Sequence, residues 1–261
     1  MDNHIKVNIC GVEFIKNLSF DSVLYEIQFL IKNKQSVYFV TSNVDHIVKL
    51  HKDAEFRFIY KNAYLVLPDG MPLLWAARFL GTPLREKISG SDIASGICKL
   101  ASCNGYRLFF LGGKPDSAMQ AKAKLDNQLS SIKIVGVYSP PFGFENDKKE
   151  EDKISEMIKE SLPDILLVGL GAPKQEKWIY KHYKELGVPV TIGIGATFEF
   201  ISGLVERAPV WMQKAGLEWF WRLMKEPGRL WKRYLIDDMS FFLLVLKQKI
   251  IGIKTKNFTH C

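Results

Sequence analysis

The chain has 261 residues, 47% apolar and 25% charged, which excludes a disordered polypeptide and suits one α/β body with an appendage. No apolar run approaches the roughly 20 residues that span a bilayer, and the start MDNHIKVNIC lacks the basic and apolar regions of a secretion signal, so a cytoplasmic protein is expected. Net charge is +8, and eleven lysines and arginines against four acids between Arg207 and Cys261 place seven of those charges in the tail, with four of the six tryptophans. Such a segment favours an anionic partner: a phosphate, a lipid surface or a nucleic acid. Cys10, Cys98, Cys103 and Cys261 form no C-x-x-C pair and lie near no histidine at zinc-ligand spacing, which reads as reduced, structural thiols.

In chain order, residues 6–15 read as a small hairpin. Short β-branched or aromatic runs follow at 36–40, 64–67, 107–111, 132–137, 164–168 and 188–194. Helix-period segments lie between them at 44–60, 72–79, 92–102, 116–128, 149–160 and 174–186. Several runs are apolar throughout, as strands covered on both faces are, so the alternation predicts a Rossmann-like, mostly parallel α/β sheet with helices on both faces. The charged run 145–153 reads as a solvated loop leading into a helix. Beyond Gly203 only helical patterns remain, broken at Pro209 and at Pro227-Gly228, which divides an α/β body (1–203) from a helical appendage (204–261).

Within the appendage, Trp211, Ala215, Trp219 and Leu223 recur every fourth residue as one apolar stripe. Arg229, Lys232 and Arg233 fall within roughly 100° of a helix circumference, with Leu230, Trp231, Tyr234 and Leu235 opposite. This basic-aromatic amphipathicity fits a helix lying in a membrane interface, or a core helix with a solvated basic face. The apolar residues 241–246, flanked by Lys247 and Lys249, tip the reading towards the membrane.

In a parallel α/β sheet ligands bind beyond the carboxyl ends of the strands, so the residues following each run outline the site. These are Thr41-Ser42-Asn43, Pro68-Asp69-Gly70, Gly112-Gly113-Lys114, the segment from Gly169 to Glu176, and Gly193-Ile194-Gly195 followed by Glu199. Asp69, a carboxylate at a strand end beside a glycine that lets a ligand approach, suits a general base, although Asp-Gly is also a frequent turn pair. Thr41 and Asn43 suit sugar hydroxyls or the cap of the helix beginning at Val44. Gly112-Gly113 and Gly169-x-Gly171 let backbone amides approach a phosphate at a helix N-terminus, yet neither is a G-x-G-x-x-G or a P-loop. Gln175 and Glu176 open a helix, where the acid also complements the dipole. His46, His51 and His182 show no triad or zinc spacing. There is no Asp-x-Asp, so neither a metal nor a cofactor is expected, and a nucleotide diphosphate would have to be met by protein cations or helix ends.

These segments resemble the WecG/TagA/CpsF family of glycosyltransferases over residues 40–234. The resemblance rests on T-x-N at 41–43, L-P-D-G at 67–70, G-S-D at 90–92, G-L-G-A-P-K-Q-E at 169–176 and G-I-G-A-T-F-E-F-x-x-G at 193–203. R-A-P-x-W at 207–211, L-E-W-F-W-R-L at 217–223 and E-P-x-R-L at 226–230 continue it in order. It implies an inverting, metal-independent transfer from a UDP-sugar, often UDP-N-acetylmannosamine or a relative. The implied acceptor is N-acetylglucosamine on a polyprenyl diphosphate at the inner membrane face, in cell-surface polysaccharide or teichoic acid synthesis.

The resemblance casts Asp69 as the base, places Thr41, Asn43 and Gln175 along the pocket, and directs Arg222 and Arg229 to the diphosphate. Asp92, Gly112, Gly171, Lys174, Glu176, Glu199 and Arg207, from the same motifs and strand ends, complete the candidate binding set. Three positions depart from the family pattern. Lys87 stands where arginine is usual, a point charge without the guanidinium fork; Glu199 replaces the usual aspartate; Lys232, beside Arg233, stands where a third tail arginine is common. The donor sugar is therefore open, as is homo-oligomerisation.

The expected mechanism is a single displacement: Asp69 takes the acceptor proton while Lys87, Arg222 and Arg229 offset charge on the leaving diphosphate. The tail would hold the enzyme at the lipid surface and close over the UDP. Two rivals fit less well. A dinucleotide-binding oxidoreductase lacks its glycine fingerprint. A non-enzymatic module binding membrane or nucleic acid has no need of polar groups converging on strand ends, so nucleic acid is not an expected partner.

Overall fold

A computed structural model describes residues 5–258, apart from the side chains of Lys214, Arg229 and residues 253–258. The hairpin is β1 (Lys6–Ile9) paired antiparallel with β2 (Val12–Ile15). It turns through Cys10 and Gly11, both at positive φ as a two-residue hairpin turn requires. Helix α1 (Phe20–Lys32) follows, an element that the strand–helix alternation passed over. Its signal was local: Ser19 and Ser22 form a reciprocal capping box, and Val23, Ile27 and Leu30 recur on one buried face.

The body then runs β3 (Val37–Ser42), α2 (Val44–Lys52), α3 (Ala54–Asn62), β4 (Leu65–Pro68), α4 (Met71–Leu80) and α5 (Gly90–Asn104). It continues β5 (Arg107–Gly112), α6 (Ser117–Gln128), β6 (Lys133–Tyr138), α7 (Lys148–Ser161), β7 (Ile165–Gly169), α8 (Lys174–Leu186), β8 (Val190–Gly193) and α9 (Thr197–Ser202). All six predicted sheet strands are present, in one parallel sheet of order β4-β3-β8-β7-β5-β6. The single helix expected over 44–60 is two: Asp53 is extended and its carboxylate accepts from the Phe56 amide, capping α3 and breaking the run. The charged run at 145–153 is a 3₁₀ turn (Phe144–Asn146) leading directly into α7, and Asp147 caps that helix.

Beyond Gly203 come α10 (Val210–Lys214), α11 (Glu218–Lys225), α12 (Pro227–Lys232), a π-type turn (Arg233–Asp237) and α13 (Met239–Phe258). The stripe expected from Trp211 to Leu223 is interrupted. The chain turns at Gly216, whose positive φ and close approach to Met71 and Trp75 of α4 leave no room for a side chain. The basic arc is also divided, because the wider π-type turn shifts the register after Lys232. Arg233 points inwards to Asp45 while Lys232 stays exposed, and the side chain of Arg229 lies outside the described residues.

Helix α13 packs on the body. Phe241 and Val245 sit in the same core cluster as Ile9 of the hairpin, Ile47 of α2 and Ala76 and Ala77 of α4. Gln248 accepts from the Cys10 amide at 2.7 Å and donates to Asn8 O at 2.8 Å. Cys10 and Cys98 are buried, and Cys103 is exposed; all three are free thiols. Phe241→Ala should lower unfolding stability by about 3–5 kcal/mol through the cavity it leaves. Phe242→Ala, which trims a half-exposed ring, should cost far less, and chemical denaturation of the two variants makes the comparison.

Candidate active site

Strand connections run outward in opposite directions from β5 and β7, so these neighbours form the switch point where an α/β sheet opens a crevice. There the Gly113 amide donates to Gly169 O at 2.7 Å, and a Cβ at Gly112 would collide with that carbonyl. Glu199, a buried residue of α9, accepts from the Lys114 amide at 2.9 Å. Gly112, Gly171 and Glu199 thus belong to one end of the crevice. Ordinary strand spacing carries it over four intervals from β5 to β4, roughly 19 Å, to Asp69.

Asp69 stands immediately after β4, its amide bonded to Ser42 O at 2.7 Å and its carboxyl accepting from the Gly90 amide at the first turn of α5. It keeps part of its surface exposed, yet protein closes around the carboxyl on most sides. Burial pushes its pKa up to about 6 against the pull of Lys87, with Glu218 and Asp92 adding to the rise. Lys87 Nζ lies 3.7 Å from Asp92 Oδ2 and 3.4 Å from Glu218 Oε2. Arg207 reaches Asp92 Oδ1 at 2.7 Å through Nη2 and Glu218 Oε1 at 3.3 Å through Nε. Ser89 Oγ donates to Asp92 at 2.6 Å, and these cationic and hydroxyl partners hold the Asp92 carboxyl below its ordinary pKa despite burial.

Of the predicted residues, Asp69, Lys87, Asp92 and Arg207 therefore meet, and the structure adds Glu218, which the sequence reading missed. Its signal was an acid opening a helix inside an otherwise basic tail. A cleft of about 370 Å³ opens beside Arg207, walled by Ser91 and Ser95 of α5, Lys124 of α6 and Thr197 and Phe200 of α9. Arg222 lies over the Phe200 ring at 5.7 Å.

Under the middle of the crevice lies a second polar group. Thr41 Oγ1 donates to Gly193 O at 3.2 Å, and Asn43 is the cap of α2, accepting from the His46 amide at 3.1 Å. Gln175 Oε1 accepts from the Gly195 amide at 2.9 Å while its Nε2 donates to Glu176 Oε1 at 2.8 Å. Both residues are buried, and Gly193 has no side chain where the Gln175 amide passes. Glu176 Oε2 has no hydrogen-bond partner among the described residues, and burial raises this carboxyl to about 7. Gln175 and Glu176 thus form the floor of the crevice.

Tyr60 and His46 meet at 2.5 Å below Thr41; burial holds His46 neutral, its pKa lowered to about 3, so it is a hydrogen-bonded core histidine, as its lack of triad or zinc spacing suggests. Lys174 does not join the centre but pairs with Glu145 at 2.6 Å. Arg233 joins Lys49 on the buried Asp45, at 3.3 and 2.8 Å.

A model described as "Glycosyl transferase WecG/TagA/CpsF family" matches residues 7–255. Among curated proteins, the N-acetylglucosaminyldiphosphoundecaprenol N-acetyl-beta-D-mannosaminyltransferase of Bacillus subtilis (strain 168) is 33% identical, covering 76% of this chain and 74% of its own length. The protein of the same name from Bacillus spizizenii is 30% identical over 88% of this chain and 86% of its own, and that from Staphylococcus aureus (strain MW2) 26% over 95% and 96%.

The raised pKa of Asp69 carries a stability consequence. A carboxyl whose folded pKa lies above its unfolded value contributes stability at low pH that is lost as pH rises through the folded pKa, here about 6. Asp69→Asn should therefore melt above the wild type at pH 8, by the equivalent of about 2 kcal/mol after allowance for partial exposure. The difference should vanish near pH 4, and thermal melts at the two pH values check it.

Proposed function

As the chain belongs to the WecG/TagA/CpsF family of glycosyl transferases, we propose that it moves an N-acetylmannosamine-like hexose from a UDP-sugar to N-acetylglucosamine on a polyprenyl diphosphate. The reaction is a single displacement with inversion. The observation that carries this reading is a partly desolvated carboxyl at one end of a crevice whose other end is bare backbone. The β5–β7 glycines let a nucleotide lie against the main chain, and the span to Asp69 suits an extended nucleotide sugar. Asp69 then takes the proton of the acceptor hydroxyl as it attacks the anomeric carbon from the face opposite UDP.

Lys87 and Arg207, joined through Glu218, and Arg222, which lies over the Phe200 ring beside the cleft, offset charge growing on the leaving diphosphate, which stabilises the transition state without a divalent ion. Thr41 and Asn43 border the sugar. Gln175 serves from beneath, its amide already committed to Gly195 and Glu176.

The tail completes this site and meets lipid. No helix among the described residues is long and apolar enough to cross a membrane. Yet Trp211, Met224, Trp231, Leu235, Phe242 and Leu243 are exposed among basic residues, an apolar surface suited to the inner membrane face, where a lipid-linked acceptor is reached from the side. In this reading the segment from 204 onward serves both tasks.

The test is a donor screen. Purified protein is offered UDP-sugars with a short-chain polyprenyl-diphosphate N-acetylglucosamine analogue, and UDP release is measured. One UDP-N-acetylhexosamine should support turnover, and failure of every UDP-sugar would sink the reading. Asp69→Asn should lower that turnover ~10²–10⁴-fold with the fold retained. In the wild type, kcat/KM should fall below an apparent pKa of about 6, because only the ionised base accepts the proton. A chelator should leave the rate unchanged.

A further inference from the structure

Lys87 and Arg207 are two cations among three carboxyls: Asp69 from the end of β4, Asp92 from α5 and Glu218 from α11. The cluster is short of positive charge before any substrate arrives, so a diphosphate competes with the resident carboxylates for these cations. The three are not held equally. Asp92 has the 2.7 Å contact to Arg207 and the Ser89 hydroxyl at 2.6 Å. Asp69 has the Gly90 amide. Glu218 has contacts of 3.3 Å to Arg207 and 3.4 Å to Lys87, neither as short as the 2.7 and 2.6 Å contacts of Asp92, and a quarter of its side chain meets solvent.

We propose that Glu218 is a carboxylate placeholder, holding Lys87 and Arg207 in the ligand-free enzyme and yielding them to the diphosphate of the donor. This rests on the reading that the donor's diphosphate lies at the Asp69 end of the crevice. Arg222 stands one turn beyond Glu218 on the same face of α11, so the helix carries an acid for the empty site and a cation for the filled one. Glu218 is in this sense a positioning residue, acting on the reaction through Lys87, Arg207 and the charge that Asp69 feels.

The experiment is calorimetric titration of full-length wild type and Glu218→Gln with UDP, alongside the pH dependence of kcat/KM. The variant should bind UDP roughly fivefold or more tightly, a typical size for coupling between two ligands of one site. Its acidic limb should also move below that of the wild type, since Glu218 is one of the charges that raise Asp69. A merely structural role predicts weaker binding and an unmoved limb, and that result, or equal affinity, overturns the placeholder alone. If neither protein binds UDP, the donor reading and the placeholder fall together. Glu218→Ala should give the same sign, and circular dichroism certifies the fold of whichever variant is used.

Discussion

The site is governed by an imbalance of charge in a confined space. Two cations serving three carboxyls leave one negative charge without a counter-charge, and burial makes that excess costly where water could otherwise disperse it. Burial, opposed by Lys87 and reinforced by Glu218 and Asp92, raises the carboxyl at position 69 to about 6, so it keeps its proton longer than a surface aspartate and accepts one more readily near neutrality. Every other feature of the mouth serves that imbalance. The Gly90 amide steadies the anion, the Ser89 hydroxyl restrains Asp92, and the tail brings both Arg207 and Glu218 to the rim.

The parallel sheet supplies distance in place of charge. Its switch point leaves a crevice lined by glycines at β5 and β7, while β3 carries hydroxyl and amide groups to the middle and the edge strand β4 carries the carboxyl to the far end. A ligand bound along the strand ends would thus meet backbone at the glycine end and side chains at the Asp69 end. In the buried floor Gln175 is held by Gly195 and Glu176, and Tyr60 by His46, which stiffens the middle, while Glu176 Oε2 has no hydrogen-bond partner among the described residues.

Much of this was legible before any coordinates. The six β-branched or aromatic runs, several of them apolar throughout, mark the strands, and the polar residues after them outline the edge that holds the candidate site. Asp69 was singled out by its place at a strand end, and Asp92 and Arg207 by their motifs. What periodicity could not convey was pairing across the chain. Lys87 looked like a free cation awaiting phosphate until Glu218, 131 residues later, was seen to hold it. Similarly, Arg233 belonged by its spacing to a surface arc, but a π-type turn swung it onto Asp45. The break at Asp53 and the helix after Ser19 turn on single caps, which carry less weight in a pattern than a run of apolar residues does. The evenly spaced tail aromatics concealed Gly216, where the backbone must come close to α4.

The clasp between Gln248 and the first hairpin bears on how the molecule is made. Asn8 and Cys10 are made more than two hundred residues before their partner. Until α13 follows, the hairpin's flank and the faces of α2 and α4 lack Phe241 and Val245, so the nascent chain exposes greasy surface while the intervening residues are made. Completion of the hydrophobic interior and addition of the helical tail are consequently one late event. A polypeptide stalled short of α13 would be an aggregation hazard before it could be a defective catalyst.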